Sequence, residues 1–136
     1  MKGDAPLVVV DASIAVKWFV VEDEADVSLA DELLASHAAG SVRLVAPALL
    51  VHEVFNVLLA RRNCEVASLT EAMDAFFDAD VALVSPDREQ VAIAAGMVAQ
   101  GLSTADAAYA ALARVLGCRL VTADLRLAER AAVLLG

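Results

Sequence analysis

Four acidic residues, Asp11, Glu53, Asp106 and Asp124, stand where carboxylates either do chemistry or cost energy. Asp11 ends the apolar run "LVVV" and Asp124 ends "CRLVTA", so each falls at the carboxyl end of a predicted strand, where ligands gather in α/β sheets. Asp106 lies in the first turn of the helix predicted over 103–117. Glu53 interrupts "LLVHEVFNVLLA" (49–60), a helix apolar on almost every side and therefore expected to be buried. A lone buried charge costs several kcal/mol. If all four carboxylates converge, they repel one another and require a counter-charge to stay ionised. A divalent cation supplies it, and hard oxygen ligands select Mg2+ or Mn2+. Magnesium is typically held by one or two carboxylates together with substrate phosphates, so the pattern points to phosphoryl chemistry.

Each acid also has a structural alternative. Asp11 and Asp124 are good N-caps, and "STAD" (103–106) is close to a capping box. Glu53 could pair with Lys17 or Arg119.

The elements that must position these acids alternate. Strands are predicted within 7–13, whose β-branched run ends at Asp11, and at 42–47, 81–86 and 118–124, with a weak edge strand at 133–135. Helices are predicted at 14–20, 22–40, from Pro47 to an end at Arg61, Arg62 and Asn63, 68–80 with Ser68 and Glu71 in capping-box spacing, 87–101, 103–117 and 125–131. The helix over 22–40 places Val27, Ala30, Leu33 and Leu34 on one face. Strands alternating with helices give an α/β domain with a parallel sheet of four to five strands.

Residues 1–136 have the size of one domain, long enough to bury a core without disulfides or structural zinc. Cys64 and Cys118 form no metal-binding pair and read as reduced, buried thiols; the histidines His37 and His52 read as structural or surface residues. No segment is long and apolar enough to span a membrane, and no signal-peptide pattern opens the chain, so the expected location is cytoplasmic. The net charge of −9 argues against a large basic nucleic-acid surface.

The blocks "VVVDASIAVKWF", "APALLVHEVFNVLLA", "LSTADAAYAALA" and "LVTADLRLA" resemble, in order and spacing, the PIN-domain family, and within it the VapC-type toxins of toxin–antitoxin pairs. The resemblance implies a three-layer α/β/α sandwich and Mg2+-dependent endoribonuclease activity, with Mn2+ as a substitute ion. It also implies a homodimer and inhibition by a cognate antitoxin. The family's acids fall on Asp11, Glu53, Asp106 and Asp124, with Asp11 and Asp106 holding the principal ion. Ser13, Asn56 and Thr122 match polar positions that support the carboxylates. Ala105 departs from an aromatic often found before the third acid, and Tyr109 lies one turn later. Lys17, Arg61, Arg62, Arg88 and Arg126 are candidates for contact with RNA, and so few cations predict a shallow salt dependence of binding. Trp18 and Phe19 could stack on bases or belong to the core.

Two other classes remain open. One is a catalytically silent PIN-like module that binds RNA or protein, although all four acids are present. The other is a Mg2+-dependent phosphatase or receiver domain. The first would need a second Asp where Ser13 stands, and the second a late lysine where none follows Lys17.

Overall fold

β1 (Leu7–Val10) is buried at Val8, Val9 and Val10, as a β-branched run must be when a sheet is covered on both sides. It pairs in parallel with β2 (Arg43–Pro47) and with β4 (Arg119–Val121), and β2 pairs in parallel with β3 (Ala82–Val84). The order β3-β2-β1-β4 makes β1 the turning point of the topology. From β1 the chain adds strands on one side and then crosses back to add β4 on the other. The crevice beyond the carboxyl ends of β1 and β4 is therefore the expected ligand position.

A computed structural model describes residues 5–19, 27–61 and 65–135. The helices are α1 (Ala12–Ala15), running into a 3-10 turn at Val16–Trp18, α2 (Val27–Ala39), α3 (Leu49–Arg61), α4 (Val66–Asp78), α5 (Arg88–Ala99), α6 (Thr104–Leu116) and α7 (Leu125–Leu135). They complete a three-layer α/β/α sandwich around the four-stranded sheet. One core cluster joins β1, β2 and β4 to α1–α4 and α6; a smaller one, around Met97, Ala107, Ala111 and Leu127, joins α5, α6 and α7. Of the sequence-based expectations, Arg62, Cys64 and residues 22–26 of the second predicted helix lie outside the described residues. Among the described residues no helix is long and apolar enough to cross a membrane.

Three boundary expectations are corrected. Pro47 does not open α3; it is the last residue of β2, in register with Val84, because its fixed φ suits extended backbone as well as a first helical turn. Ser68 lies inside α4 rather than before it. The helix starts at Val66 after an extended Glu65, a turn ahead of the buried stripe Leu69, Ala72, Met73 and Phe76. No strand forms at 133–135. Leu127, Ala131, Leu134 and Leu135 make one helical stripe, and α7 carries it to Leu135.

His37 ties three elements together. Its Nδ1 accepts the Leu44 N–H at 3.1 Å, and its Nε2 lies 2.9 Å from the Ala79 carbonyl. These partners fix the neutral ring with the proton on Nε2. His37→Ala is expected to cost about 1–3 kcal/mol, because it strands a backbone donor of β2. A urea midpoint that falls at unchanged m-value checks this; an unchanged midpoint refutes it.

Candidate active site

Asp11 leaves β1 with an extended backbone (φ −102°, ψ 179°) and is only 6% exposed. Two hydroxyls hold its carboxylate. Ser13 Oγ donates to Oδ1 and Thr122 Oγ1 donates to Oδ2, both at 2.6 Å. Ser13 follows Asp11 on α1, whereas Thr122 arrives from β4, the other strand at the turning point.

Each hydroxyl oxygen is itself fixed by a backbone donor. Ser13 Oγ accepts the Ala123 N–H at 2.8 Å, and Thr122 Oγ1 accepts the Asp124 N–H at 3.0 Å. The two hydroxyl oxygens are 3.2 Å apart. With both hydroxyl protons given to Asp11, no proton lies between them. This arrangement suits an Asp11 that accepts at both oxygens, which only the ionised form does without turning a hydroxyl. Burial acts in the other direction and raises the Asp11 pKa, with the Ser13 and Thr122 hydrogen bonds pulling it back.

Glu53 is half-buried, not enclosed, because α3 packs only the face carrying Leu50, Val54 and Leu58 and leaves Phe55 and Leu49 exposed. Its partner is the Tyr109 hydroxyl, which donates to Glu53 Oε1 from α6. Tyr109 is 2% exposed. Burial, the hydrogen bond to Glu53, and the negative charges of Glu53, Asp11 and Asp106 together push its pKa up. Tyr109 is thus a neutral donor whose phenol feels three of the four acids. It is the site residue whose role the sequence did not assign; the one available signal was an aromatic a turn after Asp106 on a helix otherwise rich in alanine.

Asp106 is half-buried at the start of α6, where its N–H donates to Ser103 Oγ at 3.1 Å. Asp124 is exposed and caps α7, its Oδ1 accepting from the Arg126 N–H at 3.0 Å and the Leu127 N–H at 3.3 Å. The N-cap alternative is therefore occupied at Asp124, while Asp11 makes no side-chain cap bond. Asp106 and Asp124 line one cavity of about 220 Å3 with Arg126 and Arg130. Asn56 is exposed on α3, three residues beyond Glu53 and on the same side of the helix. Among the described residues no three His, Cys, Asp or Glu side chains converge closely enough to hold an ion by themselves.

Trp18 is committed to the fold. Its Nε1–H donates to the Ala30 carbonyl at 2.9 Å, and its ring meets Phe19 edge-on at 6.3 Å. Cys118 is a free, half-buried thiol whose pKa burial raises.

The fold is similar to that of VapC20 from Mycobacterium tuberculosis, described as a sarcin–ricin loop cleaving toxin. The TM-score is 0.69 and the identity 18%, over 90% of this chain and 93% of that one. It is also similar to PAE2754 from Pyrobaculum aerophilum, with a TM-score of 0.65 and 20% identity over 92% of this chain and 79% of that one. No curated protein matches the chain significantly. The family model of the PIN domain matches residues 8–133, from the first strand to the last helix, and the chain belongs to the PIN-domain family.

Proposed function

We propose that the protein is a Mg2+-dependent endoribonuclease of the VapC toxin type, cytoplasmic, homodimeric and inhibited by a cognate antitoxin. The observation that carries this reading is the Asp11 carboxylate, buried yet held at both oxygens by hydroxyl donors. A structural aspartate gains nothing from burial that a neutral residue would not give. A metal ligand does, because it must stay ionised and fixed in direction. The PIN fold, broadly associated with nucleases, supports the same reading.

The donor set fits a hard cation. Asp11 and Asp106 offer carboxylate oxygens, and both charges reach the Tyr109 phenol. Magnesium keeps several waters and uses one or two carboxylates, so Asp11 and Asp106 would be enough protein ligands to hold it. Mn2+ should substitute. Bound there, the cation supplies activation of water near neutral pH and compensation of the phosphate's charge.

The remaining work falls to the chain. Ser13 and Thr122 fix the direction of Asp11, and Tyr109 fixes that of Glu53. Glu53 and Asp124 orient the attacking water or complete the acidic pocket, and Asn56 adds a polar group beside Glu53. In-line attack on an RNA phosphodiester would leave a 5′-phosphate and a 3′-hydroxyl.

The test is cleavage of total cellular RNA with Mg2+, with chelator, and by Asp106→Asn. The expected result is cutting by the wild type only with metal, at new ends bearing 5′-phosphate, and a rate at least about 100-fold lower for the variant. Metal-independent cutting, or a variant that cuts like wild type, overturns the proposal. Suppression of toxicity by co-expression of a small neighbouring gene tests the antitoxin separately.

A further inference from the structure

Resting on the ribonuclease reading, we infer that Arg126 and Arg130 form the subsite that holds an RNA backbone phosphate beside the scissile bond. The two arginines are four residues apart on α7, so their side chains share one face of the helix. Both line the cavity of about 220 Å3 that Asp106 and Asp124 also line. Both are exposed, and neither guanidinium forms an ion pair or hydrogen bond with another described residue, although two carboxylates share the cavity. Like charges at this spacing repel. Neither arginine belongs to the buried stripe of α7, which is carried by Leu127 and Ala131.

The backbone opposite makes room for one of them. Gly101 has φ +109°, and a Cβ there would meet Arg130 Nη2 at 2.6 Å. Any side chain at that position would be strained and would displace the guanidinium. The cavity is therefore two-signed, lined by two carboxylates and two guanidiniums. A guanidinium presents a planar fork that matches two phosphate oxygens. A phosphodiester chain crossing from the acids to α7 would meet metal at one phosphate and arginine at the next. In a chain of net charge −9, such a local pair is what long-range attraction cannot provide.

The experiment measures binding of a short random-sequence single-stranded RNA, in chelator to prevent cutting, across a salt series. Arg126→Ala and Arg130→Ala are each expected to weaken binding about 5- to 10-fold at low salt and to flatten the slope of log K against log salt by about 0.7. Arg43→Ala, at the exposed start of β2, should change neither. With Mg2+, the α7 variants should raise KM more than they lower kcat, and Arg130→Lys should recover part of the loss. Slopes equal to wild type overturn the assignment and leave an acidic protein segment as the partner of the arginine pair. Cutting that persists with those equal slopes leaves the nuclease reading standing. Altered slopes in a protein that never cuts would retain the subsite and remove the nuclease. Failure of the wild type to bind RNA at low salt removes both.

Discussion

Asp11→Asn is expected to abolish metal-dependent RNA cleavage and, in the same protein, to raise its stability without metal. The two effects share one cause. Losing a charged ligand removes several kcal/mol of transition-state stabilisation, which is a rate loss of roughly 1000-fold or more. The fold gains, because burial raises the Asp11 pKa above its ordinary 3.8. Between the unfolded and folded pKa values the native state binds the proton more often than the unfolded chain. Stability from this group is therefore lost as pH rises through that window, and the deficit is complete above the folded value. Asparagine carries no such deficit. Its amide can donate to one hydroxyl oxygen while its carbonyl accepts from the other hydroxyl, so the Ser13–Thr122 frame survives with one rotor turned. A gain of about 1 kcal/mol would move the midpoint of a domain this size by roughly 3–5 °C. Thermal scans from acid to neutral pH should show wild type falling relative to the variant. Added Mg2+ should raise the wild-type midpoint and leave the variant's unchanged. A variant that loses activity and stability together would make Asp11 a fold residue.

The parts of the molecule that were legible in sequence are those with local signals. Short apolar runs placed all four strands, and Ser103 and Gly117 bounded α6 because capping is a matter of adjacent residues; Gly117 takes φ +64° there. The last helix shows how a short apolar run misleads. "VLL" satisfies a strand pattern by itself, and only the spacing back to Leu127 and Ala131 reveals the helix. Glu53 shows the deeper limit. Its helix is rich in apolar residues, but packing selects one face, and no local rule says which. Its partner lies 56 residues away, so nothing near Glu53 announces a phenol. The acids were visible one at a time. What the sequence did not contain was their division: Asp11 enclosed by hydroxyls, Glu53 under Tyr109, and Asp106 and Asp124 shared with the α7 arginines.

Tyr109→Phe and Glu53→Gln should prove strongly non-additive. Phenylalanine keeps the buried ring and removes only the hydroxyl, so the loss reports the bond to Glu53 Oε1 and little else. Hydrogen bonds to charged groups contribute about 1.5–3 kcal/mol, and Tyr109→Phe is expected to destabilise within that range. Glu53→Gln keeps an acceptor of weaker strength, so the same hydroxyl should be worth less against it. The double variant should then fall about 1–2 kcal/mol short of the sum of the singles, as residues in direct contact do. Activity should follow the same logic. Tyr109→Phe leaves Glu53 in place but free to turn, and loss of such a supporting contact typically costs 10- to 100-fold. Once Glu53 is glutamine, removing the hydroxyl should cost little more. Additive losses in both stability and kcat/KM would mean that the phenol and the carboxylate act separately, and the bond between α3 and α6 would then be packing without function.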